Sequence, residues 1–183
     1  MKIGVISDTH DRLETIQEAL NIFKQQKIEM IVHCGDWVSP FTLEFFDQYC
    51  QKINLIVPIK SVFGNNEGDY RMINIRNTKL KNPIFFSPKI VLELKLYQQK
   101  IVVYHGHDTI ILDALIKSQV YNTILTGHTH ISRNEIIGKT LIINPGTTSH
   151  ACLSKIIPNA SVALYNSIEN KAEIIQLISN FSR

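Results

Sequence analysis

The stretch KIGVISDTHD at residues 2–11 runs from a short apolar segment directly into a charged one. KIGVIS has the length and β-branched content of a buried strand, and the polar residues begin where that strand would end. Asp8 and His10 stand one residue apart, so on an extended chain their side chains lean to the same side. Residues 11–26 then carry Leu13, Ile16, Ala19, Leu20 and Phe23 at helical spacing, with acids early and Lys24 late, as the helix dipole prefers. The same order returns further on. EMIVHC (29–34) reads as a strand, SPFTLEFFDQY (39–49) as a helix with Ser39 as cap and Pro40 at its first position, and INLIVPIKSVFG (53–64) as another strand. A β-α-β-α-β order predicts a parallel or mixed sheet covered by helices, an α/β fold.

The second half changes character. KIVLELKL (89–96) and IVVYH (101–105) around YQQK predict an antiparallel hairpin, 108–119 a helix, and YNTILTG (121–127) a strand. NEIIG (134–138), TLIINPG (140–146), SVALYN (161–166) and AEIIQLI (172–178) read as late strands. Segment 70–89 holds Arg71, Arg76, Lys79, Lys81 and Lys89 without an acid, and reads as a surface connection with a solvated basic face; a phosphate-steering rim is the alternative.

Composition narrows the classes. With 183 residues and 44% hydrophobic content, a single domain spanning 1–183 is expected. A net charge of +3 is compatible with phosphate-bearing ligands but too small to argue for nucleic acid. Cys34, Cys50 and Cys152 form no CxxC pair and no even framework, which predicts a reducing, cytoplasmic setting. No leader-like segment precedes the first strand and no apolar run approaches the length of a membrane span.

Function is concentrated at the strand ends. After KIGVIS come Asp8 and His10; after IVHC comes Asp36; after SVFG come Asn65 and Asn66; after IVVY come His105 and His107; and ILTGHTHI (124–131) supplies His128 and His130. An isolated HxH is more often a polar loop, but every candidate here lies at the carboxyl end of a predicted strand, the edge where open α/β sheets bind ligands. Asp8, His10, Asp36, Asn65, His105, His128 and His130 combine carboxylate, amide oxygen and imidazole, a set that suits Mn²⁺, Fe²⁺, Zn²⁺ or Ni²⁺. No thiolate joins them, which weighs against a structural zinc site. Seven ligands exceed what one octahedral ion can use while keeping a position open, whereas two ions sharing one carboxylate accommodate them.

The order D-x-H, G-D, G-N-x, H-G-H, G-H-x-H, followed by INPGT at 143–147, resembles the calcineurin-like metallophosphoesterase superfamily, in particular its small single-domain phosphodiesterases. The resemblance implies a four-layer α/β/β/α sandwich of two mixed sheets flanked by helices. It implies that Asp8, His10 and His130 hold one divalent ion, Asn65, His105 and His128 a second, and Asp36 bridges both. Two such ions, Mn²⁺ first among them, would activate a bridging hydroxide for in-line attack on a small phosphodiester. Dimers or tetramers are common among similar proteins. A non-catalytic scaffold on the same fold, like the retromer subunit that shares it, is the alternative; such scaffolds erode the D-x-H histidine, and His10 is present here.

The chain departs from the family's G-N-H-D/E pattern at Gly64-Asn65-Asn66-Glu67. Asn66 donates hydrogen bonds but delivers no proton, so the general-acid role is unfilled and His107 becomes a candidate to replace or assist it, beside Asp36 and Asn65. The remaining polar residues have plainer readings. His33 reads as a satisfied core histidine, Cys34 as a small apolar residue and His150 as a surface residue. Trp37 reads as a pocket wall or a core residue, Asp11 as a helix N-terminal acid and Glu67 as a loop acid, either acid alternatively orienting a metal-bound histidine.

Overall fold

The structure, a computed structural model, describes residues 1–149 and 159–177. In chain order it comprises β1 (Lys2–Ile6), α1 (Leu13–Gln25), β2 (Met30–His33), α2 (Pro40–Lys52), β3 (Ile59–Ser61), α3 (Tyr70–Asn77), β4 (Phe85–Phe86), β5 (Val91–Leu96), β6 (Gln99–Tyr104), α4 (Thr109–Ser118), β7 (Thr123–Leu125), β8 (Arg133–Ile137), β9 (Thr140–Asn144), β10 (Ser161–Asn166) and β11 (Lys171–Gln176). Two mixed sheets result, ordered β11-β10-β1-β2-β3-β4 and β5-β6-β7-β9-β8. Neighbours β1, β2, β3 and β4 run parallel, as do β6, β7 and β9.

Alternation along the strands builds four layers. Ile3 and Val5 of β1 and Met30 and Val32 of β2 face Ile101, Val103, Leu125, Leu141 and Ile143 of the other sheet. Ile6 and Ile31 point the opposite way, into a core completed by Ile16, Leu20 and Phe23 of α1 and Leu43 and Phe46 of α2. On the far side, Val102, Ile124 and Ile142 meet Ile116 of α4. Central strands are therefore covered on both faces, which is why they read as unbroken apolar runs.

Three expectations need correction. The strand over 53–64 shrinks to β3: Asn54 adopts φ 53 just beyond α2, and Pro58 can donate no ladder bond, so Ile53, Leu55 and Val57 pack against the helical core without pairing. Segment 70–89 is not merely a connection, because it contains α3 and β4. Asp69 caps α3 by accepting the Met72 N–H at 2.9 Å, and Arg76 pairs with Glu44 at 2.5 Å over the Phe41 ring, so that cation is engaged within the fold. Helix α2 also runs to Lys52, past the expected end at 49. His150 and Cys152 lie outside the described residues.

Candidate metal centre

Five loops carry the candidate side chains to one edge: those after β1 (Asp8, His10), β2 (Asp36), β3 (Asn65), β6 (His105, His107) and β7 (His128, His130). Their backbones are unusual. Asp8, His10, Asp36, His128 and His130 have φ of 53, 40, 62, 68 and 60°, in the left-handed region that costs a non-glycine residue about 1–2 kcal/mol. Strain of this kind clusters at functional sites.

The ligand atoms converge in two groups. Asp8, His10 and His130 present donors all within 4.8 Å of one another, and Asp8, Asp36 and His105 form a second such set. His10 Nε2 and His130 Nε2 are 3.2 Å apart, and His130 Nε2 is 3.3 Å from Asp8 Oδ1. Asp36 lies between the groups, with Oδ1 3.3 Å from His105 Nε2 and Oδ2 3.5 Å from His10 Nε2. The Asn65 amide oxygen completes the second side, 3.0 Å from His105 Nε2 and 2.9 Å from His128 Nδ1. All seven predicted ligands thus meet at one place. His107 stands at the margin, its ring centroid 5.7 Å from that of His105 and 6.4 Å from that of His128.

These donors fit cations. Asp8 is fully buried, and its Oδ1 has no hydrogen-bond partner among the described residues, although such an atom ordinarily finds one. Its other oxygen accepts from Ser7 Oγ at 2.6 Å and from the His128 N–H at 3.0 Å, which aims Oδ1 inward. His105 donates Nδ1–H to the Cys34 carbonyl at 2.8 Å, turning Nε2 toward the centre.

Titration follows the same geometry. Burial pushes the Asp36 carboxyl up, but the hydrogen bond and charge of His105 and two donors from Asn66 outweigh it and hold the group well below the usual carboxylate range. Burial pulls His105 down, yet Asp36 and Asp8 overcome this and carry it above the ordinary histidine value. His10 and His128 are lowered, chiefly by burial, with the carboxylates opposing only in part. Neutral imidazoles are the form that binds a metal.

The sequence profile of the calcineurin-like phosphoesterase superfamily domain matches residues 1–166. The chain belongs to the calcineurin-like phosphoesterase superfamily. Among members of this superfamily, it is 35% identical over 146 residues to Phosphodiesterase MJ0936 of Methanocaldococcus jannaschii, covering 80% of this chain and 83% of that one. The solved structure of an archaeal phosphodiesterase superposes with a TM-score of 0.81 at 29% identity, covering 97% of this chain and 100% of that one. Zinc-bound Vps29 from Entamoeba histolytica superposes with a TM-score of 0.65 at 17% identity, covering 97% and 99%, a likeness of fold alone. As a member of the superfamily the chain is a phosphoesterase, a hydrolase of phosphoester bonds.

Several residues around the superfamily's loops play roles that differ from the sequence reading or exceed it. Glu67 is a buried acceptor of backbone N–H groups rather than a loop acid. Asp11 accepts the Ser39 N–H at 3.0 Å and the Thr42 hydroxyl, tying the start of α2 to the D-x-H loop, instead of serving its own helix. Trp37 is fully buried and stacks on His33 at 3.8 Å, so it belongs to the core. His33 is the satisfied core histidine expected: Nδ1 accepts the Gly35 N–H at 3.1 Å, leaving Nε2–H for Thr9 Oγ1 at 3.2 Å. The INPGT turn acts through Asn144, whose amide donates to the Gly127 carbonyl at 2.7 Å, and Thr147, whose hydroxyl donates to the Asp8 carbonyl at 2.7 Å. Asn66 turns inward, donating its backbone N–H to Asp36 Oδ1 and its side-chain amide to Oδ2, each at 2.8 Å.

Proposed function

We propose that this chain is a divalent-metal-dependent phosphodiesterase with a two-ion centre, acting as a single domain in the cytoplasm. Asp8, His10 and His130 hold the first ion, Asn65, His105 and His128 the second, and Asp36 bridges them. The observation that carries this reading is the Asp36 carboxylate, which directs one oxygen toward His105 at 3.3 Å and the other toward His10 at 3.5 Å. Mn²⁺ is the first choice of ion, with Ni²⁺, Fe²⁺ and Zn²⁺ suited to the same mixed donors. When bound, the pair supplies hydroxide at neutral pH for in-line attack on phosphorus and neutralises charge developing on the phosphoryl oxygens.

The chain's own residues prepare that chemistry. The Asn65 amide oxygen lies 3.0 Å from His105 Nε2 and 2.9 Å from His128 Nδ1, so that the three donor atoms face one point. Asn66 commits its amide to Asp36 and so offers no proton to a leaving group. His107, half-buried beside His105, is the residue we assign to the substrate side. Without a dedicated acid the favoured substrates are small phosphodiesters with good leaving groups, since general acid catalysis matters most where the leaving group is poor. That all seven ligand positions are filled supports an enzyme over a scaffold.

The test combines metal analysis with hydrolysis of bis-p-nitrophenyl phosphate in Mn²⁺ or Ni²⁺. Two ions per chain and turnover are expected, with Asp36→Asn and His128→Ala folded but inactive. Metal-replete protein that turns over no phosphodiester or phosphomonoester would replace this reading with the scaffold.

A further inference from the structure

Glu67 is an ionisable side chain only 9% exposed, and nothing in the proposed chemistry uses it. Its Oε1 accepts the N–H groups of Asp36 and Gly64, each at 3.0 Å, and its Oε2 accepts those of Trp37 and Val38, each at 2.9 Å. Four backbone donors converging on one point form the kind of concavity that binds free anions in other proteins. Here the anion is the chain's own side chain, and the donors come from two separate loops. One loop follows β2 and carries Asp36; the other follows β3 and carries Asn65.

We infer that Glu67 is a positioning residue, whose carboxylate joins these two loops and thereby fixes the distance between the bridging carboxylate and the second ion's ligands. The consequence for metal binding rests on the two-ion reading above; the loop junction itself does not. Backbone conformation supports the inference. Asp36 and Val38 have φ of 62° and 71°, and a β-branched residue in that region is a genuine outlier that surrounding contacts must hold. The N–H groups of both residues end on Glu67. The Gly68 N–H adds a return bond to the Val38 carbonyl at 2.9 Å.

Only glutamate satisfies this geometry. Glutamine would turn an NH₂ toward two N–H donors and leave both unpaired. Aspartate is one methylene short and cannot span both loops. Outer groups that orient metal ligands are worth about 10- to 100-fold in metal affinity or activity, and a loss of that size is expected for Glu67→Gln.

The experiment compares wild-type protein with Glu67→Gln and Glu67→Ala, measuring Mn²⁺ titration by calorimetry, diester turnover and amide hydrogen exchange. In the wild type without metal, the amides of Asp36, Gly64, Trp37 and Val38 should exchange slowly, and in the variants fast. Glu67→Ala leaves four donors around an empty carboxylate position, so added formate should restore Mn²⁺ affinity and turnover in that variant while leaving the wild type unchanged. A general structural role would give no formate rescue. Folded variants with wild-type Mn²⁺ affinity would overturn the inference. If both variants fail to fold, rapid exchange of the four amides in the wild type would overturn it. Wild-type protein that binds no Mn²⁺ would overturn the two-ion reading instead, and the exchange data would still decide the junction.

Discussion

Replacing Gly64 by alanine tests the position of Asp36 with one methyl group. The backbone at Gly64 lies outside the left-handed region, so alanine meets no conformational objection there. Its Cβ, however, would stand 2.0 Å from Asp36 Oδ1 and 2.6 Å from the Asp36 backbone nitrogen, where real Cβ atoms essentially never come closer than 3.0 Å. The carboxylate oxygen must therefore retreat by at least 1.0 Å (3.0 minus 2.0). A misplacement of about 1 Å costs roughly 10²-fold in rate. Side-chain rotation cannot relieve the contact with the backbone nitrogen, so the loop moves too, at about 1–3 kcal/mol for overpacking. That corresponds to roughly 2–4 °C in Tm for each kcal/mol in a domain of this size. Gly68→Ala is the matched control: its Cβ meets the Val38 carbonyl oxygen at 3.1 Å, which a small adjustment relieves, and near-wild-type behaviour is expected. Both variants are assayed for kcat/KM on bis-p-nitrophenyl phosphate with saturating Mn²⁺ and for melting by circular dichroism. If Gly64→Ala hydrolyses the diester at the wild-type rate, the carboxylate's position is not what the reaction depends on, and the bridging assignment fails with it.

Two further perturbations address the leaving group and pH. Asn66→His places an imidazole where the chain has an amide, and because general acid catalysis is worth about 10²–10⁴-fold, the ratio of alkyl monoester to aryl diester turnover should rise by about 10-fold or more; an unchanged ratio at matched Mn²⁺ would remove the leaving-group argument. Burial holds His33 neutral and well below 6.5, despite the opposing charge of Asp36. Its folded-state value is depressed, so only the unfolded chain gains the proton just below pH 6.5, and its contribution is intact above that pH and lost as pH falls, at roughly 1.4 kcal/mol per pH unit. Urea melts of metal-free protein between pH 7 and 5 should show stability falling with pH, the lowered His10 and His128 adding in the same sense, and His33→Gln should make the fall shallower; equal slopes would contradict the assignment. His105, raised by Asp36 and Asp8, acts in the opposite sense, its contribution being lost as pH rises through its folded value.

How much of this was legible in the sequence depends on where each residue finds its partners. The strand-end ligands could be read because strands covered on both faces appear as apolar runs, so a polar residue after the run is conspicuous, as at Asp8, Asp36 and His105. Helix α3 could not be read, because Ile73 is its only buried residue and no apolar stripe repeats across its eight positions. INLIV at 53–57 has the sequence of a strand without pairing as one for the converse reason: Leu55 is buried against helices, and burial alone does not distinguish packing from pairing. Glu67 was invisible in its real role because its partners are backbone N–H groups, three of them about thirty residues away, and backbone donors leave no trace in residue identity. Asn144 and Thr147 belong to the INPGT segment, but their acceptors are carbonyls of Gly127 and Asp8, supplied only by the fold.

The strained backbones suggest when the site takes its shape. Three of the left-handed ligand residues, Asp8, Asp36 and His128, are each held by a contact from a different loop. The Asp8 N–H donates to the Gly35 carbonyl at 3.0 Å, and the Asp36 carbonyl accepts the Thr9 N–H at 3.0 Å. Asp8 Oδ2 accepts the His128 N–H at 3.0 Å, while Glu67 secures the Asp36 amide at 3.0 Å. The loops after β1, β2, β3 and β7 therefore constrain one another through the protein's own hydrogen bonds, several of them to backbone atoms of ligand residues. On the two-ion reading proposed above, metal ions would add their attraction to an arrangement already in place, and the binding energy would not be spent on ordering loops. A centre of this kind should lose affinity when a connecting side chain such as that of Glu67 is removed, although Glu67 is not among the proposed ligands. Non-ligand residues such as Glu67 and Thr147 thus belong to the same functional unit as the histidines they never contact.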